Sequence, residues 1–447
     1  MTEDLRTLVK RMEVAGHIRR VEKEVDPRYF SALMAQSETA LFFEKVKGYN
    51  IPVVMGLLST RPRMAFALGT NDIGKKFADA IARPIPPVEV ATGPCKEVII
   101  KGDDVDLTQL PIPFMHTKDG GPYLSSGVVF SKDPVYGPNV GMYRLMYRNP
   151  KETSIDLVSP SDMRFYYERA YQQGKPLEIA VALGCHPCEM TAASYKAPMN
   201  ADEIIYAGGL HGAPVEIVKC ETVDLMVPAD AEIVLEGEIL PIGWTEDEGR
   251  FGDFAHLQCE VKWNPVVRYK AITMRKDAMF YALQMPWEND WLAAPVTEAA
   301  GWRALLEASV QPVNILATPG SCCYWELVAS IHKRPGEGKN ALLALLSVAE
   351  VKIAIVTDDD IDIYNPEELD WALSLRVQPA EDVIIIPGAR GKHLDPSTKA
   401  WMLPKGSLPT SGKLGIDATI PEGVTNAAYE RLEYAFKDRV QLKDYLI

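Results

Sequence analysis

An acidic stretch around two glycines, residues 245–258 (TEDEGRFGDFAHLQ), holds the side chains best suited to chemistry in this chain. Gly249 and Gly252 permit tight or left-handed backbone geometry, which can turn the carboxylates of Glu248 and Asp253 toward a common point. Two carboxylates that face one site can divide acid and base work, because their mutual repulsion favours a proton on one of them. A solvated acidic turn is the alternative, and this stretch alone does not exclude it.

A second candidate is the turn and strand at residues 137–144 (GPNVGMYR), in which an asparagine precedes an arginine by five positions. On a regular strand an odd separation sends two side chains to opposite faces, which predicts that Asn139 lies in the turn. The guanidinium of Arg144 is a rigid fork suited to a substrate carboxylate or to an internal partner such as Glu248. A surface arginine on a barrel strand is the alternative.

Two further residues suggest a cation and a phosphate. Glu221 ends the mostly apolar run at residues 211–221, where an unpaired carboxylate is unfavourable. A hard cation such as Mn²⁺ or Mg²⁺ prefers oxygen ligands, so Asn139, Glu221 and another carboxylate would suit one. Lys413 follows a glycine in a turn that could meet a phosphate, but the full spacing of a phosphate-binding loop is absent and a lone Gly-Lys pair is a weak signal.

Cys185 and Cys188 have the C-x-x-C spacing of redox and metal sites. They follow an apolar run at residues 179–184 without a clear helix after it, which favours buried structural cysteines over either function.

Composition limits the class of protein. The chain has 447 residues and a net charge of -14, which indicates a large core, two or three domains and no nucleic-acid partner, since a phosphate backbone requires a basic face. No segment is apolar for long enough to span a bilayer, and the N-terminal residues lack the features of a signal peptide. We therefore expect a cytoplasmic protein with seven reduced cysteines.

The elements predict an α/β (α+β) fold with a β-rich middle. Residues 4–24 are amphipathic at helical spacing, and residues 51–55 and 98–100 are strand-like. Between residues 110 and 274, strand-like runs dominate, and antiparallel pairing in a barrel would close so many short strands without exposed edges. These runs are residues 127–130, 177–183, 215–219, 233–237 and 266–272.

After Trp302 strands alternate with helices, which predicts a second α/β domain with a parallel sheet. The predicted strands are residues 313–316, 351–356 and 383–386, and the predicted helices are residues 339–350 and 366–375. Residues 426–446 are predicted to form a last helix, whose apolar face could pack on its own core or on a neighbouring subunit.

Taken together, these segments resemble the UbiD family of reversible decarboxylases over nearly the whole chain. The sharpest match is an arginine, a glutamate and a second acid, met by Arg144, Glu248 and Asp253 in the settings NVGMYR and EGRFGD. Supporting matches are residues 110–113 (LPIP), 119–123 (DGGPY), 218–228 (VKCETVDLMVP) and 359–363 (DDIDI).

The resemblance implies a prenylated FMN cofactor, Mn²⁺ or Mg²⁺ and a nearby K⁺ close to the backbone of residues 211–213. Arg144, Glu248 and Asp253 would be catalytic, with Glu248 as the proton donor. The metal ligands would be Asn139, Glu221 and, in place of the family's usual histidine, Asp156. The implied cofactor-binding residues are Asn139, Val140, Gly141, Met142, Tyr143, Arg144, His211, Gly212, Pro214, Glu221 and Lys413.

The resemblance also implies the domain plan. Residues 1–108 would form an N-terminal α/β region, residues 109–302 a cofactor domain with a split β-barrel like that of flavin reductases, and residues 303–447 a C-terminal α/β oligomerisation domain ending in a helix. A homodimer or homohexamer is expected, and a flavin prenyltransferase would supply the cofactor.

The substrate is expected to be a small aromatic or heteroaromatic acid of the indole, pyrrole or furan carboxylate kind. Flat and flexible apolar side chains in residues 281–291 and 321–325 could line a pocket for a planar ring, although tryptophans at strand ends are more often core. The predicted pocket residues are Phe254, Met285, Trp287 and Trp291. Phenolic or cinnamic-type acids, a flavin oxidoreductase and a non-catalytic subunit of a carboxylase are the alternatives.

Overall fold

The N-terminal helix is shorter than predicted. The computed structural model describes residues 2–403 and 407–446. Its first helix, α1, spans Leu5–Val14 and is capped by Asp4, whose carboxylate accepts a hydrogen bond from the Thr7 amide. Gly16 has a φ of +78° just after this helix. The prediction of a helix to residue 24 is therefore wrong, because the chain turns at the glycine and continues as a strand.

The N-terminal elements form a small mixed layer. The helices are α1, α2 (Phe30–Met34), α3 (Arg61–Leu68) and α4 (Ile73–Ala82). The strands are β1 (Ile18–Val21), β2 (Ala40–Phe43) and β3 (Val53–Met55). β1 pairs parallel with β2, and β2 pairs antiparallel with β3.

The middle of the chain is rich in strands, as predicted. These strands are β4 (Val88–Val90), β5 (Val98–Lys101), β6 (Tyr123–Leu124), β7 (Val128–Asp133), β8 (Gly137–Met142), β9 (Leu145–Asn149), β10 (Glu152–Ser154), β11 (Leu177–Leu183), β12 (Glu216–Lys219), β13 (Met226–Pro228), β14 (Ile233–Ile239), β15 (Glu246–Glu248), β16 (Lys262–Asn264), β17 (Val266–Met274) and β18 (Phe280–Ala282). The accompanying helices are α5 (Asp162–Gln172), α6 (Pro187–Ala193), α7 (Ile204–His211) and α8 (Trp287–Glu307).

Nine of these strands form one curled antiparallel sheet in the order β6-β9-β10-β17-β14-β11-β7-β8, with β5 paired to β17. The strand path begins at β6 and ends at β8, so the sheet is a half-barrel. Its predicted likeness to the split barrel of flavin reductases stays a proposal. β18 pairs parallel with β3 and joins the N-terminal sheet. The predicted domain boundaries also stay a prediction.

The C-terminal part is α/β, but its sheet is mixed. Its strands are β19 (Pro312–Ala317), β20 (Glu326–Ile331), β21 (Ile353–Asp358), β22 (Val383–Arg390) and β23 (Thr410–Ala418), and its helices are α9 (Glu337–Ser347), α10 (Pro366–Arg376) and α11 (Pro379–Asp382). β20, β21 and β23 are parallel, whereas β19 and β22 are antiparallel to their neighbours. The prediction of a parallel sheet is thus partly wrong, because β19 and β20 are joined by a connection too short for a parallel crossover.

The predicted helix over residues 426–446 does not form. Only two short 3₁₀ turns occur there, at Asn426–Tyr429 and Leu442–Asp444, and the side chain of Leu432 is fully exposed. A short amphipathic helix needs a surface that buries its apolar face, and the described part of the chain does not provide one here. No helix among the described residues is both long and apolar enough to cross a membrane.

A buried carboxylate on α8 joins the N-terminal and middle parts next to the pocket described below. Glu288 accepts hydrogen bonds from the amides of Gly56 and Leu58 at 2.9 Å and from the Tyr281 hydroxyl at 2.7 Å. Because the side chain is fully buried, these donors must replace the water that the carboxylate loses. The first turn of α8 is therefore fixed against β3 and β18.

Candidate active site

Arg144, Glu248 and Asp253 meet at one point, although they come from three different segments. Arg144 follows β8, Glu248 ends β15, and Asp253 lies in the loop after β15. The Arg144 guanidinium donates from Nε and Nη2 to the two oxygens of Glu248, both at 3.1 Å, and from Nη1 to Asp253 Oδ2 at 2.9 Å. The guanidinium fork of Arg144 therefore meets the internal acid Glu248, and a surface arginine is excluded because the side chain is buried.

Glu248 is fully buried and surrounded by donors. Besides Arg144, the Tyr123 hydroxyl donates to Oε1 and the Asn264 amide donates to Oε2, each at 2.7 Å. Four donors on two oxygens are the environment of an ionised carboxylate, which accepts hydrogen bonds and donates none. To hold a proton, Glu248 would have to lose one of these donors.

The loop that carries Asp253 is held by a second acid, Asp119. Its Oδ1 accepts from the Gly252 amide and from Gln258 Nε2, both at 3.0 Å, and its Oδ2 accepts from the His116 amide at 2.9 Å. The hydrogen bond to Asp119 also raises the pKa of the His116 imidazole.

Both glycines of the acidic stretch have a steric role. Gly249 has a φ of +116°, a conformation that side chains rarely allow. A Cβ on Gly252 would lie 2.3 Å from the ring of His116. The expectation that these glycines permit tight geometry around the two acids is confirmed.

Asp156, predicted as a metal ligand, belongs to the arginine cluster. Its Oδ2 is 3.0 Å from Arg144 Nη2 and 3.8 Å from Lys262 Nζ. Burial opposes the charge of Asp156, but the attraction of Arg144 and Lys262 is stronger and lowers the pKa of this carboxyl. One arginine thus faces three carboxylates: those of Asp156, Glu248 and Asp253.

Glu221 is also placed differently from the metal ligand that was predicted. Its two oxygens lie 2.7 Å from Lys96 Nζ and 2.7 Å from Lys101 Nζ. Both sides of the carboxylate are therefore compensated by side chains of the protein, and the position of a cation is taken. The sequence suggested a metal because a carboxylate at the end of an apolar run needs a positively charged partner. Here two lysines are that partner.

A different acid, Glu203, has the properties expected of a cation ligand. Glu203 precedes α7, is buried and accepts the Val140 amide at 2.8 Å, one residue from Asn139. Burial raises the pKa of Glu203 to about 8, and repulsion from Asp202 and Asp162 adds to it. Within the described residues Glu203 forms no salt bridge, so no side-chain cation compensates its carboxylate and burial favours the protonated form.

Asn139 lies inside β8 rather than in the turn, so that part of the spacing argument is wrong. It is buried, stands opposite Ser131 in the sheet and donates from Nδ2 to the Ser131 hydroxyl at 3.5 Å. Oxygen ligands from Asn139 and Glu203 suit a hard divalent cation. The residues present therefore fit the implied metal, with Glu203 in place of Glu221.

The other predicted cofactor residues are spread over two regions. Val140, Gly141 and Met142 belong to β8, and Tyr143 follows it, next to Asn139. His211, Gly212 and Pro214 lie at the far end of α7 from Glu203. Lys413 lies in β23, where its ammonium group donates to the carbonyls of Leu346 at 2.6 Å and Val348 at 2.9 Å, so its contact with a phosphate stays a prediction.

A cavity of about 210 Å³ opens beside Asp253. It is lined by Asp253, Trp287, His116, His256, Leu257, Gln258, Gly252 and Pro286. Of the four predicted pocket residues, only Trp287 lines this cavity. Met285 and Trp291 are buried, and Phe254 packs its ring on Tyr324 and Trp325 at centroid distances of 5.3 and 5.6 Å.

Sequence reasoning did not assign roles to Tyr123, Asn264, Asp119 or Glu203. Tyr123 and Asp119 frame the motif DGGPY, so their part in the family resemblance was the available signal. For Glu203 the signal was an acidic pair, Asp202 and Glu203, directly before the apolar helix IIYAGGLH. Nothing in the sequence around Asn264 distinguishes it.

Comparisons with known proteins agree along the chain. The sequence matches three domains of 3-octaprenyl-4-hydroxybenzoate carboxy-lyase: the N-terminal domain over residues 9–81, the Rift-related domain over residues 87–286 and the C-terminal domain over residues 290–418. The anhydromevalonate phosphate decarboxylase of Methanothermobacter thermautotrophicus is 35% identical over 411 residues, which cover 90% of this chain and 93% of that protein. The phenolic acid decarboxylase of Sedimentibacter hydroxybenzoicus is 34% identical over 457 residues, with coverage of 94% and 92%.

Solved structures are similar over the same length. The UbiD-class enzyme HmfF from Pelotomaculum thermopropionicum, in complex with FMN, superimposes with a TM-score of 0.91 at 38% identity, covering 99% of this chain and all of that one. An evolved dimeric form of HmfF in complex with prFMN gives a TM-score of 0.88 at 36% identity, with the same coverage. These matches confirm the resemblance found in the sequence.

The hydrogen bonds of Asp119 predict a change in local stability. Replacing Asp119 with alanine should speed amide hydrogen exchange in residues 249–258 by at least tenfold, because a hydrogen bond to a charged group contributes about 1.5–3 kcal/mol and two of these bonds hold this loop. Asp103→Ala is the control, since that side chain is fully exposed and pairs only with Lys151. Equal exchange in both variants would show that other contacts hold the loop.

Proposed function

The chain belongs to the UbiD family of carboxy-lyases, and from this premise we propose that it removes CO₂, reversibly and without net oxidation, from a small aromatic or heteroaromatic acid with prenylated FMN as cofactor. The proposal rests chiefly on one observation, the shared guanidinium of Arg144 between Glu248 and Asp253. When bound, prenylated FMN supplies the electron sink that takes up the charge left on an sp² carbon. The protein then has to bind the acid, exclude water and deliver a proton.

The charge of the arginine cluster suggests how the proton is supplied. One guanidinium already faces three carboxylates, so a fourth carboxylate, from the substrate, adds repulsion unless a proton enters with it. Both oxygens of Glu248 accept hydrogen bonds from Arg144. A substrate carboxylate would therefore compete with Glu248 for the same guanidinium nitrogens. We infer that substrate binding and protonation of Glu248 are coupled, which leaves Glu248 loaded as the general acid.

The remaining residues of the cluster hold Arg144 and Glu248 in position while the substrate replaces Glu248 on the guanidinium. Asp253 holds Nη1 of Arg144, so the guanidinium stays oriented when its Nε side changes partner. Tyr123 and Asn264 can go on donating to Glu248 while it loses the arginine. In the reverse direction Glu248 acts as the base that removes the proton from the ring carbon.

For the metal we propose Asn139 and Glu203 as ligands to Mn²⁺ or Mg²⁺, with Asp162 nearby. A divalent cation held by these oxygens would favour the ionised form of Glu203 and would offset the charge of a cofactor phosphate nearby. Val140, Gly141, Met142 and Tyr143 would border the cofactor on the same strand. Contact of Lys413 with the phosphate and a K⁺ near residues 211–213 remain part of the proposal.

The cavity beside Asp253 supports a small, planar substrate with a polar ring atom. Its walls combine an indole, Trp287, with the hydrogen-bonding groups of His116, His256 and Gln258. Such walls suit an indole, pyrrole or furan carboxylate, and phenolic or cinnamic-type acids are the alternative. A flavin oxidoreductase is not favoured, because the relatives reported above are decarboxylases.

For assembly we propose a homodimer or homohexamer in the cytoplasm, with a flavin prenyltransferase as the supplier of cofactor. The exposed apolar side chains of Leu432, Tyr434 and Phe436 support a subunit contact through the C-terminal segment. The likeness of the central sheet to a split barrel of flavin reductases belongs to the same proposal.

The role of Glu248 is tested by a matched pair on one strand. Glu248→Gln should keep cofactor content but lower decarboxylation by at least about 100-fold, since general acid catalysis contributes about 10²–10⁴ in rate. Glu246→Gln, two residues earlier and half exposed, should keep full activity. Retention of more than about a tenth of the activity in Glu248→Gln, measured as CO₂ release, would remove Glu248 as the proton donor.

The metal assignment is tested by comparing two glutamates. Glu203→Gln should lower both manganese content and prenylated FMN occupancy by at least about tenfold, because each helps to hold the other. Glu221→Gln should leave both unchanged, since its partners are Lys96 and Lys101. Elemental analysis that shows the opposite pattern would return Glu221 to the metal site.

The substrate pocket is tested with two tryptophans of α8. Trp287→Ala should change the relative rates for indole, pyrrole, furan and phenolic acids by about tenfold, the scale of one lost pocket contact. Trp291→Ala should instead lower all rates together and reduce the melting temperature, because that side chain is buried. A uniform loss in Trp287→Ala would show that the ring does not contact the substrate.

A further inference from the structure

A histidine and a buried aspartate meet at the wall of the cavity beside Asp253. His256 Nε2 lies 2.7 Å from Asp290 Oδ2, and the imidazole packs on Trp287 in a T-shaped arrangement at a centroid distance of 4.5 Å. His256 lines the cavity, whereas Asp290 belongs to the first turn of α8 and its side chain is only 2% exposed. The pair therefore connects a buried acid to the space that a ligand would fill.

The imidazole of His256 is the one in this wall that can meet a ligand. The backbone φ of His256 is +58°, in the left-handed region that favours glycine, and strain of this kind is retained mainly at functional positions. His256 Nδ1 has no hydrogen-bond partner among the residues that the structure describes. The other imidazole of the wall, His116, differs because Asp119 holds its Nδ1 at 3.3 Å.

The surroundings of Asp290 favour its protonated form. Its Oδ1 is buried without a hydrogen-bond partner among the described residues, a position that costs an ionised carboxylate more than a neutral acid. Burial and repulsion from Asp253 raise the pKa of Asp290 to about 8, and burial lowers the pKa of His256. The nearby thiols of Cys322 and Cys323 stay neutral, because burial raises the pKa of both. At neutral pH the pair is therefore uncharged.

The uncharged pair presents a hydrogen-bond donor at its free nitrogen. When Asp290 is protonated, its hydroxyl donates to His256 Nε2, so the hydrogen of the neutral imidazole must be on Nδ1. If the shared proton moves from Asp290 to Nε2, Nδ1 still keeps its hydrogen. Nδ1 becomes an acceptor only after the pair as a whole has lost a proton.

We propose that the His256–Asp290 pair selects small aromatic acids whose ring offers a hydrogen-bond acceptor and rejects those with a ring N–H at the same place. This inference rests on the proposed function, because it takes the cavity beside Asp253 as the site of the acid. A ring oxygen can face the N–H of His256 Nδ1, whereas a ring N–H there would leave two donors without an acceptor. A furan acid is therefore preferred to a pyrrole acid of the same shape.

Furan-2-carboxylate and pyrrole-2-carboxylate are the probes, because they share shape and charge and differ in one ring atom. The full-length protein is loaded with FMN in place of prenylated FMN, and the binding of each acid is measured by titration calorimetry from about pH 6 to about pH 9. At the lowest pH we expect furan-2-carboxylate to bind at least about tenfold more tightly, the scale of one hydrogen bond and one unsatisfied donor.

The preference should disappear as the pH rises. The pair loses its proton near the Asp290 pKa of about 8, and His256 Nδ1 then accepts the pyrrole N–H. Because both probes carry one carboxylate, effects of pH on the rest of the site cancel in the ratio of their affinities.

Two variants separate the pair from the rest of the cavity. Asp290→Asn does not titrate, so the ratio of affinities should become independent of pH. His256→Gly suits the left-handed backbone and should abolish the preference at every pH, which keeps the test valid if Asp290→Asn fails to fold. Asp359→Asn is the control, because Asp359 forms an exposed pair of the same kind with His332 at 2.8 Å and should leave the ratio unchanged.

The inference is overturned if the wild-type protein binds both acids equally, prefers the pyrrole acid at low pH or binds neither. An unchanged preference in His256→Gly would overturn it as well. Binding is read without turnover, so a failure of the cofactor-loaded enzyme to release CO₂ would count against the proposed function and not against this preference.

Discussion

One guanidinium shared by three carboxylates is the constraint on which the rest of the site depends. Arg144 is buried against Glu248, Asp253 and Asp156, so the cluster carries more negative than positive charge. Neighbouring hydrogen bonds hold this arrangement in place. Tyr123 and Asn264 donate to Glu248, and Asp119 accepts from the loop that carries Asp253. In the proposed function this excess charge couples the binding of a further anion to the uptake of a proton.

The same reasoning about charge separates two acids that the sequence does not distinguish, the half-buried Glu221 and the buried Glu203. Glu221 has a lysine on each side of its carboxylate, whereas among the residues that the structure describes Glu203 has no lysine or arginine partner and accepts the Val140 backbone amide. A buried carboxylate without a cation is unstable unless it binds a proton or a metal. Compensation by lysines therefore identifies a structural ion pair, and its absence at Glu203 points to a ligand site.

The features that the sequence predicted well are those that hydrophobic periodicity or a sequence motif specifies. The strand at Leu177–Leu183 formed as predicted, because a long apolar run specifies it. Arg144, Glu248 and Asp253 lie together as the motifs indicated, and their catalytic roles stay a proposal. The ion-pair partners of Asp156 and Glu221 were not predicted, because chain spacing does not show which arginine or lysine approaches from a distant segment. The last helix was wrong because amphipathic spacing predicts a face to bury, and not whether anything covers it.

The coupling of substrate binding to protonation of Glu248 is the central claim, and infrared difference spectroscopy tests it most directly. The cofactor-loaded enzyme would be mixed with a carboxylate analogue that cannot lose CO₂. The account predicts a new carbonyl band of a protonated carboxylic acid, absent from Glu248→Gln. No such band in the wild-type enzyme, or the same band in the variant, would contradict it.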